Sequence, residues 1–127
     1  MRIYWVSKDR PLPGQLAELR RLFGEDMRLI RDPNPFDSAK DIAARFRRSK
    51  CQDLVALTPL SVLDHLCREG LAPLRPEMET LDRDVEDPDR EFRTQKGLVI
   101  RFVEFRRVVK LELVTEAVRP CEEKGNR

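Results

Sequence analysis

Residues 53–66 read DLVALTPLSVLDHL, and they predict a strand that passes directly into a helix. The run from Asp53 to Leu57 is the most apolar of the strand-like segments. Thr58-Pro59 is typical of a helix start, because a hydroxyl side chain can cap free N–H groups and proline is accepted in the first turn. Gly70 suits the end of this helix. Its inner face would be formed by apolar residues at helical spacing: Val62, Leu63 and Leu66.

The same strand–helix order occurs twice before this unit. Residues 1–6 form a short strand without polar alternation, as expected where both faces are covered. A helix follows, with Pro13 in its first turn and Gly24 at its end. Residues 27–30 predict a second strand, and the proline-rich turn 32–35 leads to a helix capped by Asp37 or Ser38. The buried face of the first helix is predicted from Leu12, Leu16, Leu19 and Phe23.

Alternating strands and helices of this kind predict an α/β fold: a small Rossmann-like, mostly parallel sheet with helices on both faces, in the order 2-1-3-4. Residues 71–74 would supply the fourth strand. Residues 98–114 alternate in hydropathy and predict a long last strand with a bend near Arg106-Arg107, onto which residues 91–96 pair back through Gly97. The sheet would thus end in an antiparallel strand or hairpin. We expect one domain over 1–118, with a mobile acidic loop at 77–93 and a polar tail at 119–127.

Composition excludes several classes of protein. The 127 residues carry 25 basic and 23 acidic side chains, so the net charge is only +2, and no duplex DNA partner is expected. No apolar run approaches the ~20 residues of a membrane span, and the N-terminus does not resemble a signal peptide. Cys51, Cys67 and Cys121 form no CxxC pair and accompany a single histidine, which argues against a zinc site. A reduced, cytoplasmic protein without a bound metal is predicted.

Polar residues are predicted to gather beyond the carboxyl ends of the strands. In open α/β sheets, ligands bind there, at the point where the strand order reverses. That point would join Ser7 and Lys8, after the first strand, to Thr58 and Ser61 at the third helix, whose N-terminus favours an anion. Two more candidate ligand-binding residues, Asp32 and Asn34, follow the second strand at the same edge. The alternative is that Thr58 only caps the helix and Lys8 is only a solvated charge.

Other patterns narrow the chemistry. No GxGxxG or Walker pattern follows the first strand, so no dinucleotide or other cofactor is predicted. His65 lies one turn after Ser61 and could face it, but no orienting carboxylate is evident, and an exposed helical histidine is the more ordinary interpretation. Arg106, beside the expected bend, could hold a phosphate. The more ordinary interpretation is that it protects an exposed sheet edge.

Three short motifs together resemble those of a known family. They are Ser7-Lys8 after strand one, Thr58-Pro59-Leu60-Ser61 at a helix start, and the ending Arg101-Phe102-Val103-Glu104-Phe105-Arg106-Arg107. The chain is similar to the CRISPR-associated Rossmann-fold (CARF) group, and above all to its small stand-alone ring nucleases. The architecture covers most of the chain, whereas the motifs cover about a dozen residues.

The resemblance implies a homodimer of type III CRISPR antiviral defence that binds cyclic oligoadenylate second messengers at the dimer interface. Some proteins of the group also cleave these rings without metal, as phosphodiesterases. Ser7 and Lys8 would then be catalytic, with Lys8 stabilising charge in the transition state. Thr58 and Ser61 would hold phosphate and ribose. No histidine follows a strand, which favours binding over turnover. The alternative is a small Rossmann-like adaptor without catalytic activity, which presents its last strand or acidic loop to a partner.

Overall fold

The computed structural model describes residues 1–120. In chain order its elements are β1 (Arg2–Val6), α1 (Pro13–Phe23), β2 (Arg28–Asp32), α2 (Ala39–Ser49), β3 (Asp53–Ala56), α3 (Leu60–Arg68), β4 (Leu74–Leu81), β5 (Glu91–Arg93) and β6 (Val99–Arg107). The six strands form one sheet in the order β2-β1-β3-β4-β6-β5. The predicted α/β class and the order 2-1-3-4 are therefore confirmed.

The parallel part of the sheet brings three strand ends to one level. Val6 at the end of β1 lies in register with Asp32 of β2 and with Ala56 of β3. β4 continues the parallel direction, but it pairs with β3 only through Val55 and Leu74. The remainder of β4 therefore projects past the carboxyl edge of the first three strands, where it pairs antiparallel with β6.

The helices lie on both faces of the sheet, as the sequence predicts. Alternate residues of β1 point to opposite sides, so that Tyr4 packs with α2 and α3 while Trp5 packs with α1. This arrangement follows from right-handed crossovers, because the chain leaves β1 in one direction to reach β2 and crosses back to reach β3 and β4. Apolar burial on the two faces forms two core clusters.

The helix starts agree with the sequence in two cases and differ in the third. Ser38 caps α2 by accepting a hydrogen bond from the N–H of Asp41, and Pro13 is the first residue of α1. The prediction that Thr58 caps the third helix is wrong. Pro59 occupies that position in an extended conformation, and no side chain caps α3. The helix begins one residue later than predicted because Pro59 adopts the flanking conformation rather than a first-turn one.

Three expectations about the second half are corrected. The segment 77–93 is not one loop, because β4 continues to Leu81 and β5 begins at Glu91. β6 ends at Arg107 instead of reaching residue 114. The irregularity of β6 lies at Val103, an extra residue opposite the Glu77–Met78 step, rather than at Arg106-Arg107. The predicted pairing of residues 91–96 onto the last strand is confirmed for β5, with Gly97 in the turn at a φ of +86°.

The connection between β4 and β5 is held by a buried carboxylate. Glu91 accepts two hydrogen bonds from the guanidinium of Arg83, at 3.0 and 2.9 Å, and one from each N–H of Glu86 and Asp87. The connection also rests on α1: the N–H of Gly14 donates to the carbonyl of Asp89 at 2.7 Å. A Cβ at position 14 would lie 2.7 Å from that same oxygen, so only glycine permits this approach.

Acid should loosen this connection. The hydrogen bonds from Arg83 and from the N–H groups of Glu86 and Asp87 lower the pKa of Glu91 to about 2. A carboxyl whose pKa is lowered by folding stabilises the fold above its unfolded pKa of about 4.3, and that contribution is lost as the pH falls toward 2. We therefore expect the melting temperature of Glu91→Gln to lie below that of the wild type at pH 7 and to approach it near pH 2.

Thermal unfolding followed by circular dichroism from pH 7 to pH 2 measures this. Glu86→Gln, which alters an exposed carboxylate of the same connection, is the control and should follow the wild-type curve. Parallel pH curves for the wild type and Glu91→Gln would contradict the role given to Glu91.

After β6 the chain leaves the sheet at the edge opposite the aligned strand ends. Arg107 binds both carboxylate oxygens of Asp53, the first residue of β3, at 2.7 and 2.8 Å. Residues 108–120 then form neither helix nor strand and are largely exposed. Of the predicted tail 119–127, residues 121–127, which include Cys121, lie outside the described part. No helix within residues 1–120 is long and apolar enough to cross a membrane.

Candidate functional site

The aligned ends of β1 and β2 border a cleft of about 450 Å³, which we call the strand-end cleft. It lies at the carboxyl edge of the parallel strands, the edge where α/β sheets bind ligands. The sequence predicts a site between β1 and β3, whereas the cleft lies mainly between the segments that follow β1 and β2. It is lined by Val6, Ser7, Lys8, Asp9, Pro33, Asn34, Pro35, Phe36 and Leu57.

Ser7 and Lys8 lie in a short turn that two hydrogen bonds to Asp9 hold in place. The Ser7 hydroxyl oxygen accepts a hydrogen bond from the N–H of Asp9 at 3.1 Å. The indole of buried Trp5 donates to the carbonyl of Asp9 at 3.0 Å. Lys8 is exposed, and within residues 1–120 no carboxylate lies within 4.0 Å of its ammonium group. The turn therefore presents a hydroxyl and a free positive charge to the cleft.

Asp32 and Asn34, both predicted to bind ligand, have different environments. Asn34 is exposed and lines the cleft. Asp32 is buried and its carboxylate is already engaged by three groups: the Tyr4 hydroxyl, the N–H of Asn34 at 3.0 Å, and Arg45 at 3.4 Å. Asp32 thus holds the turn that carries Asn34, and with Asn34 and Arg45 it also lines an open hollow. Its assignment to ligand binding stays a prediction.

Arg45 holds this turn through several hydrogen bonds, and the same contacts shift the pKa values of Tyr4 and Asp32. Arg45 also donates to the carbonyls of Asn34, at 3.3 Å, and Pro35, at 2.6 Å. Burial and the hydrogen bond to Asp32 raise the pKa of Tyr4 well above its usual range. Burial alone would raise the pKa of Asp32, but the hydrogen bonds from Tyr4 and Asn34 and the charge of Arg45 outweigh it and lower that pKa.

Thr58 and Ser61 are not brought into the strand-end cleft. Thr58 lines a separate hollow of about 360 Å³ with Arg75 and Pro76, and its buried hydroxyl has no hydrogen-bond partner among the described residues. Ser61 is exposed in the first turn of α3. His65 is also exposed, one turn further along. The later helix start and the position of β4 account for this separation from Ser7 and Lys8.

Arg106 lies on the projecting part of the sheet, in register with Arg75 of β4. Its guanidinium is exposed and pairs with Glu104 at 2.9 Å and with Glu77 at 3.8 Å. Because two carboxylates of neighbouring strand residues already flank it, the arrangement agrees with an edge-protecting charge. It is remote in the chain from the cleft-lining residues and is absent from the cleft lining.

The structure also contains a second cleft that sequence reasoning missed. This apolar cleft, about 360 Å³, lies beyond Leu57 on the other side of Asp9, where projecting β4 and β5 approach the start of α1. The alternation of Met78 and Thr80 with acidic residues could have indicated a strand here, but the acidic composition of residues 77–93 and their few large apolar side chains favour a loop. The lining residues are Asp9, Arg10, Leu12, Gln15, Leu57, Met78 and Phe92.

The fold and the cleft define an α/β protein with a candidate ligand site at the carboxyl edge of a parallel sheet. Comparison with protein-family models, with curated proteins and with solved structures gave no significant match. Among residues 1–120 no group of three His, Cys, Asp or Glu side chains is arranged to hold a metal ion.

Proposed function

We propose that this chain is a Rossmann-like, cytoplasmic nucleotide-binding protein whose strand-end cleft takes a cyclic oligoadenylate. One observation carries the proposal: Ser7 and Lys8, whose ammonium has no carboxylate partner among residues 1–120, stand in an apolar-walled cleft at the carboxyl edge of the sheet. A phosphate needs positive charge and hydrogen-bond donors, and a base needs an apolar wall. The cleft supplies both.

The size of the cleft supports a nucleotide unit. Its 450 Å³ falls within the ~300–1,000 Å³ common for small-molecule sites. Phe36 and Leu57 offer apolar surface for an adenine, and Asn34 offers an amide that can both donate and accept. A ring of several nucleotides exceeds one such unit. Its remaining part would extend past Asp9 toward the apolar cleft, where Arg10 adds a second positive charge.

Ser7 and Lys8 are also the residues that would take part in cleavage of a bound ring. In a metal-independent ring nuclease, a ribose 2′-hydroxyl loses its proton to water and attacks the adjacent phosphorus while positive charge stabilises the oxyanion. The bond from phosphorus to the 5′-oxygen of the next nucleotide breaks, that oxygen takes a proton from water, and the opened chain ends in a 2′,3′-cyclic phosphate. Lys8 would supply that charge and the Ser7 hydroxyl would orient a phosphate oxygen. No histidine lines the cleft to act as a general acid. The residues present therefore favour binding over rapid turnover.

Lys8→Ala tests this proposal. Removing a charged hydrogen bond to phosphate costs ~1.5–3 kcal/mol, so we expect binding of the preferred ring to weaken by about 10- to 100-fold. Purified protein would be titrated with cyclic tri-, tetra- and hexa-adenylate by calorimetry and thermal shift. Liquid chromatography, with and without EDTA, would report linear products.

The matched control is Lys96→Ala, an exposed lysine in the turn between β5 and β6. It should bind as the wild type does, because it lies outside the cleft lining. Linear adenylates formed in EDTA and lost in Lys8→Ala would identify a ring nuclease, and binding without products would identify a sensor. If no ring binds, or if Lys8→Ala binds unchanged, the proposed function is wrong.

A second candidate function, a non-catalytic adaptor, is favoured by a different observation. Val109, Leu113 and Val118 are exposed on the segment after β6, which has the apolar content of a strand but no strand partner among the described residues. Exposed apolar segments of this kind mark interaction sites. Loss of every ring interaction together with stable association to another protein would support this function.

A further inference from the structure

The segment 108–114 after β6, Val-Val-Lys-Leu-Glu-Leu-Val, is patterned as a strand yet stands outside the sheet. Leu113 is 91% exposed and Val109 is 69% exposed. The Lys110 ammonium lies 2.9 Å from the Glu112 carboxylate, so that both charges are on one side of the chain, as in an extended strand. Val109, Leu111 and Leu113 alternate with them. The segment therefore has a charged side and an apolar side, and on the apolar side Val109 and Leu113 are largely exposed whereas Leu111 is 37% exposed.

The order of these residues is self-complementary. If two copies align antiparallel with Leu111 opposite Leu111, then Lys110 of each lies opposite Glu112 of the other, and Val109 lies opposite Leu113. Opposite charges and paired apolar side chains at directly opposed positions stabilise antiparallel strands. A parallel pairing would instead set lysine beside lysine and glutamate beside glutamate.

The neighbouring part of β6 leaves room for such a partner. β5 pairs with β6 only at Val99–Arg101, so the side of β6 that faces away from β4 has no strand beyond that point among residues 1–120. The same alignment continues outward and sets Arg106 of one copy opposite Glu116 of the other. All charge pairs of the alignment therefore have opposite signs.

We propose that residues 108–114 are a dimerisation strand that pairs antiparallel with the same segment of a second copy, centred on Leu111. This surface is separate from the proposed ligand site. Arg107, just before it, binds Asp53 at the start of β3, whereas Ser7 and Lys8 follow the end of β1. The pairing thus leaves the strand-end cleft open in each copy and does not depend on the proposed function.

Sedimentation velocity of the whole chain, over about 1–200 µM, tests the pairing by charge reversal. In Lys110→Glu, glutamates face each other across the two strands, and in Glu112→Lys, lysines do. We expect either variant alone to raise the dimer dissociation constant by roughly tenfold or more. A mixture of the two variants restores opposite pairs and should form the heterodimer. The double variant K110E/E112K should dimerise like the wild type. Circular dichroism would check that every variant folds.

Cysteine cross-linking tests the register. Leu111→Cys puts two thiols opposite each other, at the Cα separation of ~4.5–5.5 Å that a disulfide accepts. Leu113→Cys is the matched control, because its two copies would lie about 13 Å apart along the strands. We expect oxidation to cross-link the first variant well above the wild-type background and the second at background. A monomeric wild type, a dimer unaffected by either charge reversal, or equal cross-linking of both cysteine variants would overturn the proposal.

Discussion

Asp32→Ala should lower the free energy of unfolding by about 3 kcal/mol, because it leaves the buried Tyr4 hydroxyl without its partner and removes the hydrogen bonds of the carboxylate to the Asn34 N–H and to Arg45. The Asp32 carboxylate is 7% exposed and binds the Tyr4 hydroxyl, the N–H of Asn34 and the Arg45 guanidinium. Tyr4→Phe removes only the hydroxyl and should cost about 2 kcal/mol, the usual loss for a hydrogen bond to a charged group. Urea unfolding monitored by circular dichroism would measure both changes.

Asp41→Ala provides the matched control for this prediction. Asp41 pairs with the same Arg45 at 2.8 Å, but its side chain is partly exposed and lies one turn away on α2. A solvent-screened pair of that kind contributes about 0.5 kcal/mol. Equal losses from Asp32→Ala and Asp41→Ala would contradict the view that Asp32 is the buried centre of the turn. In a double-mutant cycle, Tyr4→Phe and Asp32→Ala should be non-additive, since each removes the same contact.

Trp5→Ala should have the largest effect on stability, a loss of about 3–5 kcal/mol. The side chain is fully buried between β1 and α1, so alanine would leave a large cavity. Trp5→Phe is the informative companion, because it keeps much of the ring volume but removes the indole hydrogen bond to the Asp9 carbonyl. Trp5→Phe should fold, and it should also weaken any binding that depends on the position of Ser7 and Lys8.

Equilibrium unfolding gives the stability of both Trp5 variants, and the ring titration described for Lys8 gives their binding. Because Trp5 does not line the strand-end cleft, a loss of affinity in folded Trp5→Phe would report the position of the turn rather than a lost contact. Unchanged affinity in that variant would show that Trp5 contributes only to packing.

The parallel half of this fold was predictable because the secondary structure that each segment favours agrees there with the topology of the whole sheet. Strand–helix alternation with caps such as Ser38 and Pro13 fixes the elements, and right-handed crossover fixes their order. The prediction placed the fourth strand at residues 71–74, whereas β4 spans Leu74–Leu81, because the acidic composition from residue 77 onward favoured a loop. Beyond Leu74, β4 has a strand partner on one side only, and such an edge can accommodate Pro76, which lacks an N–H.

The site was only partly predictable for a related reason. Sequence position places Ser7, Lys8 and Asn34 at the carboxyl edge, and the structure brings these three to one cleft. Sequence position also suggested Thr58, but a shift of one residue in the start of α3 turned it to another hollow. The position of Asp32 after β2 predicts a ligand-binding residue, but it does not reveal the hydrogen bonds to Tyr4 and Arg45, which are 28 and 13 residues away in the chain. Contacts of that kind are not visible in local sequence.

The single backbone pairing between β3 and β4, at Val55 and Leu74, has a mechanical consequence. Two parts of a sheet that pair along many residues move together as one rigid body. Two parts that pair at a single residue pair can rotate about that point without breaking the hydrogen bonds within either part. Rotation of the antiparallel strands as a unit about Val55 is restrained by side-chain packing, by the contact of Gly14 with Asp89 and by the two hydrogen bonds from Arg107 to Asp53. Any such rotation would change the gap between Leu12 and Phe92, and with it the width of the apolar cleft.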